Sequence, residues 1–108
     1  MMNISVWNSL DEIGYEQKTT FWMDFSIADR FGDNAIKDTF RRAFEEWKDN
    51  YEYLTELVMI LNRKCWEWYG KGKHQRSELY GELYYETRDY ALDNLKGEEL
   101  SYFFRVTD

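Results

Sequence analysis

The residue types that carry out chemistry are scarce in this chain. It holds one cysteine, Cys65, and one histidine, His74, and it lacks the Glu-x-x-His pairs that bind metals in helical bundles. Cys65 falls on the apolar stripe of a predicted helix, where a thiol usually behaves as a small hydrophobic side chain. We therefore predict no catalytic residue, no metal site, no cofactor and no enzymatic activity.

A carboxylate within an apolar segment is the next candidate. Read as a helix, FWMDFSIADRFG (residues 21–32) places Asp24 inside the apolar arc. That arc contains Phe21, Phe25 and Ala28 on one side and Met23, Ile27 and Phe31 on the other. Because a bare buried carboxylate is costly, the pattern predicts a structural clasp between Asp24 and Arg41, Arg42, a tyrosine hydroxyl or a tryptophan indole. A functional acid with a perturbed pKa is the alternative.

An aromatic ring occupies the opposite, polar arc of the same segment. Trp22 falls there among Ser26, Asp29 and Arg30. Two interpretations stay open: Trp22 anchors a binding partner, or residues 1–19, an irregular N-terminal segment, cover it. The residues of that segment suited to cover it are Ile4, Val6 and Trp7.

The acidic side chains form two stripes at helical spacing. The first contains Glu45, Asp49, Glu52 and Glu56, and the second contains Glu78, Glu82, Glu86, Asp89 and Asp93. Like charges at i,i+4 cost roughly 0.2–0.5 kcal/mol each, so the stripes predict an anionic surface for a basic partner, at its most specific a nucleic-acid mimic. The alternative is a solvated face, since a stripe carries about one charge per 5 Å against one per 1.7 Å of duplex DNA.

Basic residues cluster around the sequence GKGK at 70–73. The predicted basic loop comprises Lys71, Lys73 and Arg76, with Arg63 and Lys64 before it and Trp66, Trp68 and Tyr69 interleaved. The spacing differs from that of the phosphate-binding GxxxxGK[ST] loop. Three interpretations are open: cations that complement a helix C-terminus, docking on an acidic partner, and stacking of single-stranded nucleic acid.

Composition limits the broad class. The chain has 108 residues, of which 44% are hydrophobic and 19% aromatic, enough for one domain with its own core. The formal charge of −7 disfavours direct binding to nucleic acid or to an anionic membrane. No run approaches the roughly 18 apolar residues of a membrane span. The single cysteine fits a reducing compartment, and we expect a cytoplasmic protein without a signal peptide.

Helices are the elements that would position these residues. The chain has no proline, and its glycines mark the ends of helical patterns. Gly32 is expected to end a helix over about 20–31 in a left-handed cap, and Asp33 or Asn34 is expected to cap the next helix.

The middle of the chain supports two interpretations. The hydrophobic period stays in phase across 34–69, which favours one long helix, whereas Asp49 and Glu52 form a capping box that favours a break. A helix over about 74–95 follows the loop, and Gly81 inside it indicates close approach of a bulky neighbour. We predict one all-α domain, an antiparallel helical bundle with one long central helix or a helical hairpin in its place.

Three stretches resemble a known group of proteins. They are TTFWMDFSIADRFGDNAIKDTF, EEWKDNYEYLTELVMILN and NLKGEELSYFFRVTD, within residues 18–108. They are similar to small uncharacterised acidic proteins carried on integrative and conjugative elements of Gram-positive gut bacteria. The resemblance implies an accessory protein of a mobile element, and it assigns no activity and no role to any residue.

Together these features predict a non-enzymatic protein that binds another macromolecule, as a regulatory or accessory protein of a mobile element. The alternative is an acidic nucleic-acid mimic that inhibits a DNA-binding protein of a host defence system, of the restriction or CRISPR type. The expected partner is a protein, such as a basic nucleic-acid-binding one, and self-association as a homodimer is compatible with the sequence.

Overall fold

The computed structural model describes residues 22–107, which form five helices. The described part of α1 covers residues 22–31. It is followed by α2 (Asp33–Trp47), α3 (Tyr51–Gly70), α4 (His74–Asn94) and α5 (Glu98–Thr107). No strand occurs within residues 22–107, so the prediction of an all-α fold is confirmed. The predicted cover segment, 1–19, lies outside the described residues.

Helices α3 and α4 form an antiparallel hairpin at the centre of the fold. Residues 71–73 connect them, as the GKGK sequence predicted. Near this turn the Ser77 hydroxyl donates to the backbone carbonyl of Cys65 at 2.9 Å. At the other end of the hairpin, Val58 of α3 and Ala91 of α4 belong to the same buried cluster.

Two clusters of buried side chains make up the core. The larger lies between α1, α2, α3 and α4, where Phe25 meets Tyr80 edge-on with ring centroids 5.9 Å apart. The smaller joins α3, α4 and α5 around Phe103. Burying one such large apolar side chain contributes about 1.5–3 kcal/mol. The core therefore uses one side of α4 and leaves the other side to solvent.

A turn at residues 48–50 separates α2 from α3. The prediction of one continuous helix over 34–69 is therefore wrong, and the two-helix alternative is right. The Asn50 side chain accepts from two backbone N–H groups in the first turn of α3, at 3.0 and 3.1 Å, which is an N-cap. The cap is thus one position after Asp49. Because both helices bury side chains in the same core, the hydrophobic period continues across the turn without a continuous helix.

Gly32 joins α1 to α2. Its φ of 115° favours glycine, but its ψ of −178° is extended, so the predicted left-handed cap is wrong. α2 begins at Asp33 with no side-chain cap, and the predicted cap by Asp33 or Asn34 is also wrong. The Gly32 N–H donates to the Ala28 carbonyl and the Gly32 carbonyl accepts from the Ile36 N–H, both at 3.1 Å. Gly32 therefore continues the backbone hydrogen bonding of α1 and makes the first backbone hydrogen bond of α2.

Helix α1 packs on the bundle through a different face from the predicted one. Phe25 and Ala28 are buried, as expected. The exposed residues are Met23 (54%), Ile27 (50%) and Phe31 (78%). The inward side instead includes Trp22 and Asp29. The difference arises because α1 faces Lys64, a buried cation of α3 that requires an acidic partner.

Gly81 of α4 lies beside Cys65 of α3. A Cβ atom at Gly81 would meet the Cys65 Sγ at 3.6 Å, which is an ordinary contact, so the predicted close approach of a bulky neighbour is wrong. The Cys65 thiol is half-buried and lies 3.5 Å from the Ser77 hydroxyl. Cys65 therefore occupies a packing position between the two central helices.

Candidate interaction surface

The outer side of α4 carries the second acidic stripe. Its members, all exposed, are Glu78, Glu82, Glu86, Asp89 and Asp93. Because α4 is one uninterrupted helix, the five carboxylates share a surface about 80° wide and about 22 Å long. No ion pair within residues 22–107 involves any of the five. We call this surface the α4 acidic face.

The opposite side of α4 holds the acidic face in place. The buried residues there are Ser77, Leu79, Tyr80, Leu83, Thr87 and Ala91. The acidic face contains four like-charge pairs at i,i+3 or i,i+4, which together cost roughly 1–2 kcal/mol. Burial of a single large apolar side chain offsets that cost. The helix therefore tolerates a repulsive surface that an isolated helix would not.

Tyr85 adds an aromatic ring to the α4 acidic face. Its side chain is 60% exposed, and its ring meets the Tyr84 ring edge-on at 5.0 Å. At 100° per residue it lies within about 40° of Glu78 and Asp89. Tyr85 was not among the predicted site residues. The available signal was the Tyr84–Tyr85 doublet, since adjacent helical residues point about 100° apart and cannot both face the core.

The first acidic stripe does not form a single face, because that prediction assumed one continuous helix. Its members are Glu45 at the end of α2, Asp49 in the turn, and Glu52 and Glu56 on α3. Glu45 accepts from Lys48 at 3.0 Å, and this hydrogen bond raises the pKa of Lys48. The two acids of α3 lie near Tyr102 of α5, whose pKa is raised first by burial and then by their charges.

The buried carboxylate is Asp29 rather than the predicted Asp24. The Asp24 side chain is 28% exposed and lies 3.6 Å from Arg42 Nη1, so one of the predicted partners is present in a half-buried setting. The Asp29 side chain is 8% exposed. Lys64 Nζ donates to its Oδ2 at 2.9 Å, and the Tyr80 hydroxyl donates to its Oδ1 at 2.5 Å.

Lys64 lies at the centre of a buried polar network. Its side chain is 2% exposed, and Nζ also donates to the Ser26 hydroxyl at 3.1 Å and lies 3.4 Å from a Glu67 carboxylate oxygen. Burial, followed by the hydrogen bond to Asp29, raises the pKa of Tyr80, so its hydroxyl stays protonated as a donor. These contacts fasten α1 to α3 and α4, which indicates a structural role for the network.

Trp22 belongs to the same inward side of α1. It is half-buried, packs against the larger core cluster, and its ring centroid lies 4.7 Å from Lys64 Nζ. A cation–π contact of this kind contributes up to about 2 kcal/mol when desolvated. The ring therefore has a packing role. Its use as a partner anchor stays a prediction, and its cover by residues 1–19 lies outside the described part of the chain.

Acids lie beside most of the predicted basic loop. Lys71 Nζ lies 3.2 Å from a Glu67 oxygen, and Arg76 Nε lies 3.4 Å from Asp33 Oδ1. Lys73 is exposed. Acidic partners therefore reduce the positive charge of the loop, and the α4 acidic face is the larger unpaired charge on the described surface.

Within residues 22–107, no three His, Cys, Asp or Glu side chains are arranged to hold a metal ion. The helices of that region are each too short or too polar to cross a bilayer.

No family model matches the chain, no curated protein matches its sequence, and no solved structure matches it.

Proposed function

We propose that this protein is a non-enzymatic binding protein whose α4 acidic face docks on a basic surface of a protein partner. One observation carries the proposal: five exposed carboxylates and an exposed tyrosine share one face of a continuous helix, and no carboxylate of the five is paired within residues 22–107. A helix face that is merely solvated more often alternates in sign. An exposed tyrosine among charges is a typical binding anchor.

The two kinds of side chain have separate tasks in this proposal. Carboxylates of one sign steer a basic partner and accelerate its association. Tyr85 supplies apolar contact area along one edge of the face, midway along its length and about 100° round the helix from Glu86. A second copy of this chain would place acids against acids there, which is unfavourable. The α4 acidic face therefore favours a basic partner over a homodimer.

The cellular setting is part of the same proposal. The resemblance to proteins of integrative and conjugative elements supports an accessory or regulatory role for a mobile element, acting in the cytoplasm. The alternative is an inhibitor that occupies the nucleic-acid site of a restriction or CRISPR-type defence protein. The face carries about one charge per 5 Å, compared with one per 3.4 Å along a DNA strand, so such an inhibitor would imitate a strand at about two-thirds of its charge density and would use the same docking mode.

Affinity capture from the native host tests the docking surface. The protein is immobilised as wild type, as Glu82→Gln/Glu86→Gln, and as the matched control Asp38→Asn/Glu46→Gln, which removes two exposed charges from α2. We expect a partner that the wild type and the control retain, that the α4 variant loses, and that elutes as salt rises. Equal capture by the α4 variant and the wild type would contradict the proposal.

Two further measurements separate the roles within that surface. Tyr85→Ala is expected to accelerate dissociation of the partner while leaving its association rate unchanged, because the ring provides contact rather than steering. Competition by duplex DNA for the captured partner would support the mimic. If duplex DNA does not compete with the partner, the hypothesis of a nucleic-acid mimic is rejected and the regulatory role is retained.

A further inference from the structure

An open cleft of about 500 Å³ lies at the turn between α3 and α4. Its lining residues are Asp33 from α2, Trp68 from α3, Lys73 from the turn, and His74, Gln75 and Arg76 from α4. Its volume falls in the range of small-molecule sites. The residues that line this cleft belong neither to the buried Lys64 network nor to the α4 acidic face.

Hydrogen-bond donors dominate the lining. Lys73 and Arg76 are cations, and Arg76 Nη1 already donates to the Asp29 carbonyl at 2.7 Å while its guanidinium lies 4.9 Å from the Trp68 ring centroid. The Trp68 Nε1–H is buried without an acceptor among the described residues. The first turn of α4 contains no acidic residue, and Lys73 before it gives no side-chain cap. The single carboxylate of the lining, on Asp33, lies 3.4 Å from Arg76 Nε. In a chain of net charge −7, this local excess of donors selects an anionic ligand.

Aromatic rings continue from the cleft onto the surface. The His74 ring meets the Tyr69 ring edge-on at 5.3 Å, and the Tyr69 ring meets the Trp66 ring edge-on at 5.6 Å. Tyr69 is 54% exposed and Trp66 is 63% exposed. Exposed rings beside cations are the platforms on which nucleobases stack. The anionic ligand is therefore expected to carry an aromatic base.

We propose that the cleft binds a mononucleotide. Lys73 and Arg76 hold its phosphoryl group, with support from the backbone N–H groups of the first turn of α4. Its base stacks on the exposed ring of Tyr69 or Trp66. A single nucleotide is favoured over a long strand because the net charge of the chain repels a polyanion. This assignment does not depend on the α4 acidic face or on its partner.

Nuclear magnetic resonance of the tryptophan indole N–H groups tests the assignment on the full chain. Adenosine monophosphate is titrated at low salt, and the indole signals are assigned with Trp66→Phe and Trp68→Phe. We expect saturable shifts at Trp66 and Trp68 and none at Trp47, which is fully buried in the core. Inorganic phosphate alone and adenosine alone are expected to bind at least about tenfold more weakly, since each lacks one half of the recognised ligand.

Two lysine variants provide the matched comparison. Lys73→Gln is expected to weaken binding of adenosine monophosphate about tenfold, whereas Lys96→Gln, an exposed lysine after α4, leaves it unchanged. The assignment is overturned if millimolar adenosine monophosphate leaves both indole signals in place. It is equally overturned if phosphate or adenosine alone binds as tightly, if Lys73→Gln has no effect, or if an oligonucleotide binds more tightly than the mononucleotide.

Discussion

The buried pair of Lys64 and Asp29 allows a stability prediction to be worked out from the structure. Lys64→Met keeps an unbranched apolar stem and deletes the ammonium group. The two side chains are 2% and 8% exposed, so water cannot replace the lost partner. Breaking a buried ion pair by removing one member costs about 3–5 kcal/mol. For a protein whose free energy of unfolding is roughly 5–15 kcal/mol, that is a large fraction of the total.

Two companion variants make the prediction specific to the pairing. Tyr80→Phe removes one hydrogen bond to Asp29 but leaves the carboxylate paired with Lys64, so a loss of about 1.5–3 kcal/mol is expected. The double variant Asp29→Leu/Lys64→Met removes both charges and replaces them with apolar groups. Such replacements are often neutral or stabilising, whereas the buried Tyr80 hydroxyl that loses its acceptor costs about 1–3 kcal/mol. The double variant is therefore still expected to be more stable than Lys64→Met alone, which leaves a buried charge unpaired.

Urea unfolding followed by tryptophan fluorescence measures these free energies. Lys64→Met is expected to be the least stable of the three variants. Two results would contradict a stabilising buried pair: a Lys64→Met protein within about 1 kcal/mol of the wild type, since a broken buried pair costs several times that, or a double variant as unstable as Lys64→Met.

Three further predictions concern single features of the fold. Glu82→Gln/Glu86→Gln removes three like-charge pairs and is expected to raise the free energy of unfolding by about 0.6–1.5 kcal/mol; a lowered melting temperature would show that these acids are stabilising. Asn50→Ala removes the N-cap of α3 and is expected to lower the free energy of unfolding in urea by about 1 kcal/mol. Asn50→Asp can still accept the two backbone hydrogen bonds, so an equal loss of stability in that variant would disprove the cap. Burial raises the pKa of Tyr80, so its contribution to the free energy of unfolding is fully present below about pH 10, the ordinary pKa of tyrosine, and is lost as pH rises above it. This decline should be shallower in Tyr80→Phe, and an unchanged decline would argue against a protonated Tyr80 donor.

Local patterns explain which helices could be predicted from the sequence. The helix expected over 74–95 is observed as His74–Asn94. It could be predicted because the flanking glycines and the helical hydrophobic period can both be recognised within a short stretch of sequence. The turn at 48–50 could not be predicted from the period, since α2 and α3 bury side chains in the same core. The inward side of α1 could not be predicted from α1 alone, because the partner that orients it, Lys64, stands 35 positions after Asp29.

The candidate site also contains features that local sequence predicts and features that depend on contacts between distant residues. The second acidic stripe required only one unbroken helix, and α4 provides it, so its shared face could be predicted. The first stripe required continuity through residues 48–50 and does not form one face. Asp24 was expected to be the buried acid because apolar residues surround it in the sequence. Burial in the fold depends instead on which residues of other helices pack against α1. Asp29 is the acid that contacts Lys64.

Zero-length carbodiimide coupling to the captured partner tests docking through the α4 acidic face most directly. The reaction joins a carboxylate to a lysine amine only when the two are in contact, and mass spectrometry of the joined peptides identifies the carboxylate. We expect coupling from Glu82, Glu86 or Asp89 to lysines of the partner. Coupling confined to acids of α2, α3 or α5, with none from α4, would contradict it.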